Sequence, residues 1–219
     1  MAAMSIHVQP REQRLLTHTD WNGYLQCREA LDETGVRITY DKGAMELMSP
    51  SPEHEQGKSD LGCCLEAYLQ ERGIDFSTGG SPTMRREAAE KGLEPDESYY
   101  LREHAGRRFA SPPEGLNINP PDLVLEIEVT RSAIDRLTIF ANLRIPEVWR
   151  YDYDTHRISI HVLGSGGHYA RQESSGLLPD LPVQSLASFV RRGPDSITSR
   201  LLSEVRDWVR RGCPPIEPS

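Results

Sequence analysis

The sequence predicts a mixed α/β protein, and three observations lead there. Strand-like and helix-like apolar periods alternate along the chain; one strand, Leu123 to Val129, is apolar enough to belong inside a sheet covered on both faces; and the segment after it reads as strand, helix, strand. That last unit is compatible with a right-handed crossover between parallel strands. Within Leu123 to Val129, the two-residue period puts Asp122, Val124, Glu126 and Glu128 on one face and a stripe of Leu123, Leu125, Ile127 and Val129 on the other. Glu126 and Glu128 sit roughly 7 Å apart at ~3.3 Å per residue, a spacing suited to flanking a cation. Unpaired carboxylates are costly in such a strand, so something must compensate them.

The helix that follows is expected to be capped by Thr130 or Ser132 and carries Ile134, Leu137, Ile139, Phe140 and Leu143 at helical spacing. Its first turns bring Asp135 and Arg136 near the carboxyl end of the acidic strand. Ile145-Pro146 ends it, and a second strand, Val148 to Tyr153, follows at once.

Toward the N-terminus, Thr19 or Asp20 caps a helix from Trp21 to Asp32, closed by Gly35. Strands Val36 to Tyr40 and Ala44 to Met48 flank the turn Asp41-Lys42-Gly43, a hairpin signal. Ser49-Pro50-Ser51-Pro52 starts a long helix, Glu53 to Arg72, whose face Leu61, Cys64, Leu65, Tyr68 and Leu69 projects back onto His54, with Glu55 beside it. Ile74 to Glu87 reads as strand, Gly79-Gly80 turn, strand; Ala88 to Gly92 reads as a polar loop; Glu97 to Leu101 reads as an aromatic strand. The stretch from Arg102 to Pro121 has no periodicity and carries Arg107 and Arg108, and loops of this length are usually functional or mobile. Strands Arg157 to Leu163 and His168 to Gln172 form an edge hairpin around Gly164-Ser165-Gly166-Gly167. Helices Val183 to Arg191 and Ser196 to Arg211 close the chain, with a frayed tail from Gly212.

Composition bounds the function. A chain of 219 residues supports one sizeable core, here expected as a domain over 19–193 with an N-terminal extension, 1–18, and a C-terminal helix and tail, 194–219. No apolar run is long enough to span a bilayer and Met1 to Pro10 lacks a signal-peptide core, so a cytoplasmic protein is expected. The four cysteines have no CxxC spacing and the histidines no ligand spacing, which argues for packed thiols and against zinc. A net charge of -8 argues against a general nucleic-acid coat protein while allowing a local basic groove.

The motifs EPDESYY around Asp96, PPDLVLEIEVT around Glu126, IDRLTIFANLRIPEVWRYD and SPSPEHE around His54, in this order and spacing, resemble the Uma family of restriction-endonuclease-like proteins within the PD-(D/E)xK nuclease superfamily. The resemblance covers roughly Trp21 to Arg191. It implies a restriction-endonuclease-like core, α/β with a central mixed sheet flanked by helices, and metal-dependent hydrolysis of a phosphodiester, with DNA as substrate. Mg²⁺ (or Mn²⁺) held by carboxylates can neutralise phosphate oxygens, activate water and stabilise the leaving oxygen. Asp96 and Glu126, on strands expected to be neighbours, are the natural metal ligands. The family pattern selects Asp96 over Asp122, which lies about 13 Å along the strand from Glu126. His54 and Glu55 are supporting candidates, and Arg107 and Arg108 are candidate nucleic-acid contacts.

The chain departs from the superfamily pattern where lysine is expected. Glu128 stands two residues after Glu126, and the nearest substitute cation is Arg136, at a helix position where related sequences carry lysine. A guanidinium with pKa above ~12 holds a phosphate or a water but takes no proton at neutral pH. Glu128 assisting a metal-bound water, Arg136 stabilising charge, or weakened catalysis all follow from this departure. The alternative function is a catalytically weakened or inactive nuclease-fold module that binds nucleic acid or a protein partner. Arg136 pointing into the pocket of Asp96 and Glu126 favours the enzyme; an outward pairing favours the module. Analogy with nuclease folds adds a homodimer as an expectation.

Overall fold

Two sets of period-two strands build two sheets, and the charged residues of both meet along the seam between them. The structure, a computed structural model, describes residues 12–190 and 197–216. The first sheet is antiparallel throughout and contains β1 (Gln13–His18), β2 (Arg37–Asp41), β3 (Ala44–Ser49), β5 (Met84–Arg86) and β6 (Lys91–Leu93) in the order β1-β3-β2-β6-β5. The second contains β4 (Phe76–Thr78), β7 (Glu97–Leu101), β8 (Leu123–Glu128), β9 (Glu147–Asp152), β10 (Arg157–Leu163) and β11 (Tyr169–Gln172) in the order β11-β10-β9-β8-β7-β4. It is mixed: β8 and β9 run parallel, with Glu126 in register with Arg150, and the other pairs are antiparallel.

The two faces of β8 are both covered, as its composition requires. Leu123, Leu125 and Ile127 join the core beneath α2 (Pro52–Glu71), while Val124 joins a second core with Ile139 and Phe140 of α3 (Arg136–Asn142). α2 comes close to the second sheet because it carries glycines at the contacts: a Cβ on Gly57 would meet Ile127 Cγ2 at 3.3 Å, and one on Gly62 would meet Tyr99 Oη at 3.1 Å. Helical glycine costs roughly 0.5–1 kcal/mol against alanine, and here close packing offsets it. α1 (Trp21–Ala30) covers the first sheet with Tyr24 stacked on Tyr40. α4 (Val183–Ala187) and α5 (Thr198–Arg210) complete the main core, α5 lying along α2 with Leu201, Val205 and Trp208 buried. Among the described residues no helix is long and apolar enough to cross a membrane.

Several expectations are corrected. Gly79-Gly80 does not join two strands of one hairpin: β4 pairs with β7 and β5 with β6, so the segment carries the chain from the second sheet to the first. The expected polar loop Ala88 to Gly92 ends in β6, held by β2 and β5 through backbone pairing that side-chain polarity does not reveal. α3 starts later than expected, capped by Asp135, because Thr130 and Ser132 give their hydroxyls to Glu12 and Glu46. Residues 13–18 of the N-terminal extension form an edge strand. α4 ends at Ala187, and Phe189 and Val190 turn back into the core; Arg191 and Ser196, like Met1 to Pro10, lie outside the described residues. The tail does not fray at Gly212: Cys213 is buried, Trp208 Nε1 donates to Pro214 O at 2.7 Å, and Ile216 N donates to Ser185 Oγ at 3.2 Å.

The start of α2 fixes the orientation of the site's histidine. Ser51 Oγ accepts from His54 N at 3.2 Å and Pro52 fills the first turn. Ser51→Ala is expected to lower unfolding free energy by about 1 kcal/mol, the usual worth of such a cap, measured by urea denaturation.

Candidate active site

The site is assembled from both sheets. On β2 the two-residue period sends Ile38 and Tyr40 into the α1 core and turns Arg37 and Thr39 toward the second sheet. On β8 the same period places Glu126 on the face toward α3. Asp96 immediately precedes β7, which pairs antiparallel with β8, so the two acids come together: Asp96 N donates to Glu126 Oε1 at 3.4 Å, and both residues are buried.

Arg136 turns inward. Its Nε and Nη2 grip Glu126 Oε2 and Oε1 at 2.6 and 2.8 Å, Nη2 also reaches Glu94 O at 2.9 Å, and Nη1 reaches Thr39 Oγ1. Burial opposes the charge on this guanidinium, but Glu126, Glu46 and Glu94 outweigh it and raise its pKa further, so Arg136 stays protonated. Arg37 is the second internal cation. It contacts Asp96 Oδ1 through Nη1 and donates from Nη2 to Glu55 Oε1 at 2.9 Å. Burial lowers its pKa, with Arg136 adding to the effect and Glu55 and Glu126 opposing it.

His54 is fully buried. Its Nδ1 lies 2.7 Å from Glu12 Oε2, and its Nε2 lies 3.0 Å from Asp96 Oδ1, off the hydrogen-bond axis and without a hydrogen-bond partner. Glu12 Oε1 in turn accepts from Thr130 Oγ1 and pairs with Arg14 at 2.9 Å. Burial pushes the Glu12 carboxyl up, yet hydrogen bonds from His54 and Thr130 and the charges of Arg14 and His54 hold it down at about 2, against an ordinary 4.5. Arg14 also pairs with Glu46 at 2.7 Å, and Glu46 accepts from Ala133 N at 2.7 Å.

The other sequence candidates fall at different depths. Glu55 is half-exposed at the mouth of a cleft of about 320 Å³ that Arg28, Arg37, Ser81 and Glu94 also line. Glu128 pairs with Arg150. Arg107 and Arg108 lie in an exposed 3-10 turn beyond β7, where Arg108 donates to Thr78 O at 2.7 Å and covers the Phe109 ring. That is the opposite end of β7 and β8 from the acids. Asp122, at that end, accepts from Leu101 N at 2.8 Å and faces His104 Nδ1 at 2.7 Å, as a strand-entry residue does. Sequence reasoning missed Arg37, Glu12, Arg14, Glu46 and Glu94. The signal available for Arg37 and Glu46 was a charge inside an otherwise apolar strand, RITYD and AMELMS.

A divalent ion can be weighed against this donor set. Among the described residues no three His, Cys, Asp or Glu side chains converge as a ready-made cage. Mg²⁺-type sites do not need one, since one or two carboxylates, waters and substrate phosphate suffice. An ionised carboxylate has roughly four acceptor positions; Asp96 fills two, with Arg37 and Ile127 N, and Glu126 fills three, with Arg136 and Asp96 N. The fixed charges leave room for a cation: six carboxylates (Glu12, Glu46, Glu55, Glu94, Asp96 and Glu126) face four guanidiniums (Arg14, Arg28, Arg37 and Arg136). His54 Nε2 lies 3.0 Å from the Asp96 carboxylate. Asp96 and Glu126 thus keep acceptor positions toward which a small divalent ion with its waters would fit.

Asp96 and Glu126 thus meet beside Arg136, which comes from the helix between the parallel strands β8 and β9. The family profile described as "Uma2: Putative restriction endonuclease" matches residues 21–193, and the chain belongs to that family. Among solved structures it is similar to the crystal structure of a "putative nuclease belonging to DUF820" from Anabaena variabilis ATCC 29413, at 16% sequence identity and a TM-score of 0.46, covering 85% of this chain and 99% of that chain. No curated protein matches.

Removing Arg136 leaves Glu126 buried without its partner, which typically costs 3–5 kcal/mol. Arg136→Ala is expected to lose about that much on denaturant unfolding, whereas Glu126→Leu with Arg136→Met recovers most of it. Because the folded Glu12 carboxyl is depressed to about 2, its stabilisation is present above 4.5 and lost as pH falls through 2. The stability gap between wild type and Glu12→Gln should narrow over that window in urea titrations.

Proposed function

We propose that this chain is a divalent-metal-dependent phosphodiester hydrolase acting on DNA, with Asp96 and Glu126 holding the ion and His54 in a supporting place beside Asp96. One observation carries this reading: the buried carboxylates of Asp96, just before β7, and Glu126, on β8, come together, and Arg136 turns inward onto Glu126. When bound, Mg²⁺ or Mn²⁺ would act as a Lewis acid toward a phosphate oxygen and acidify a water. The protein's own residues do the rest. Arg136 fixes the Glu126 carboxylate by a two-point grip, which sets its orientation within the pocket. Arg37, between Asp96 and the cleft mouth, offers a planar donor pair suited to a phosphate. Neither guanidinium takes a proton at neutral pH, so the proton of the attacking water leaves by another route. Arg107 and Arg108, exposed at the opposite end of β7 from the acids, would add contacts to the DNA backbone.

A second reading has its own observation. Both carboxylates are already neutralised from within, Asp96 by Arg37 and Glu126 by Arg136, as in a nuclease-fold module that binds nucleic acid or a protein without cutting. Calorimetric titration with Mg²⁺ and Mn²⁺, alongside cleavage of supercoiled plasmid, separates the two. Enzyme activity requires metal binding and nicking by wild type, with Asp96→Asn and Glu126→Gln each reducing nicking by at least ~100-fold, the scale of losing one positioned electrostatic group. Metal-independent binding of plasmid without nicking would support the module and sink the hydrolase.

A further inference from the structure

The face of the second sheet toward α3 changes character part of the way across. Register puts Val124, Glu126 and Glu128 of β8 beside Val148, Arg150 and Asp152 of β9, and these beside His161, Ser159 and Arg157 of β10. His161 is in turn opposite Arg171 of β11. Residues two apart on a strand share a face, so all of these lie on one side of the sheet. α3 packs over Val124 and Val148. Past that contact the face turns polar and reaches solvent, with Ser159 and His161 partly buried and Arg157 and Arg171 exposed.

This face is cationic although the chain carries a net charge of -8. Within the four strands Arg150, Arg157 and Arg171 stand against Glu128 and Asp152, and Glu126 is neutralised by Arg136. Glu128 takes one contact from Arg150, which has five N–H donors to give. Asp152 is turned to its own backbone, accepting from Asp154 N at 3.1 Å and Thr155 N at 2.8 Å. Burial, Arg150 and Arg171 together lower the His161 pKa, so both guanidiniums act on one ring. The cleft at Glu55, by contrast, sets Arg28 and Arg37 against Asp32, Glu55 and Glu94. Charge therefore draws a polyanion to the sheet face rather than to that cleft.

We propose that Arg150, Arg157 and Arg171, grouped around His161, form a track for the phosphate backbone of DNA that starts beside Glu126 and runs outward to the β11 edge. This track rests on the DNA-directed reading above and gives it a surface. At ~4.8 Å between strands, Arg150 is one strand from Glu126 and Arg171 three, about 14 Å across the sheet. With ~3.4 Å of rise per nucleotide that span covers several phosphates, more than a single anion needs. Arg107 and Arg108 lie elsewhere, by β4 at the other edge of the sheet.

The test is fluorescence anisotropy of a labelled DNA duplex with the full chain, in EDTA and over a range of NaCl concentrations. Wild type is compared with Arg171→Ala, with Arg157→Ala combined with Arg171→Ala, and with Arg210→Ala. EDTA removes divalent ions, so the binding read is independent of metal and of cleavage. Arg210 is the control: it is exposed on α5, which lies along α2 over the other face of the sheet. Arg171→Ala is expected to bind roughly ten-fold more weakly, the scale of one charge-assisted hydrogen bond. It should also lower the slope of log K against log[NaCl] by about 0.9, and the double variant by about twice that, with Arg210→Ala changing neither. Unaltered affinity and slope in the double variant, or an equal loss in Arg210→Ala, overturns the track and leaves the hydrolase standing. If the double variant fails to fold, Arg171→Ala alone decides. Binding that depends on the track, in a chain that does not nick plasmid with Mg²⁺ or Mn²⁺, upholds the track and overturns the hydrolase. A wild type that binds no duplex overturns the track, and with nicking also absent it overturns both.

Discussion

The bidentate pairing of Arg136 with Glu126 is the contact on which the arrangement of the two sheets turns. Glu126 belongs to the central strand of the mixed sheet and Arg136 to the first turn of α3, yet the same guanidinium reaches Thr39 on the first sheet and the carbonyl of Glu94. One side chain thus ties α3, β8 and β2 together beside the apolar cluster of Leu93, Val124, Ile139 and Phe140. The net energy of a buried ion pair is small once desolvation is counted, but the geometry it dictates is stringent. A neighbouring pair, Arg37 with Asp96, repeats the arrangement from β2.

Around these pairs the seam is built from carboxylates that reach across it. Glu46 on β3 holds Ser132 and Ala133 in the segment before α3, and Glu12 holds Thr130 and His54. Each such bond satisfies a group whose burial would otherwise be costly, and together they add to the apolar contact of Met84 and Leu93 with Val124 and Val148 that also joins the sheets. The delayed start of α3 follows directly. With Thr130 and Ser132 engaged by acids from the other sheet, the first free capping side chain is Asp135, which accepts from Leu137 N at 3.1 Å.

Much of this was legible in the sequence because strong periodicity and cap residues mark local structure. The alternation in Leu123 to Glu128 identified both the buried strand and the face carrying Glu126, and Ser51-Pro52 identified the start of α2 and hence the depth of His54. The strands near Asp96 and Glu126 are neighbours, as expected. What the sequence concealed was long-range. Nothing local in QRLLTH indicates an edge strand, because Leu15 and Leu16 are exposed and its pairing comes from β3. The partners Arg37 and Glu12 are separated from Asp96 and His54 by tens of residues, so only the folded register brings them together.

The position of Arg136 has a consequence that reaches beyond stability. A lysine there would present a single point charge, able to lose its proton when desolvated, and could share its ammonium between Glu126 and a water. Arginine instead spends Nε and Nη2 on Glu126 and Nη1 on Thr39, and its environment strengthens its hold on the proton. The guanidinium therefore orients and neutralises, while His54 stands beside Asp96 with its Nδ1 on Glu12. That atom is kept in place by a carboxylate outside the family-matched segment. Arginine at the helix position thus stands with a histidine whose orientation the N-terminal segment holds, and the two features are parts of one arrangement of charge.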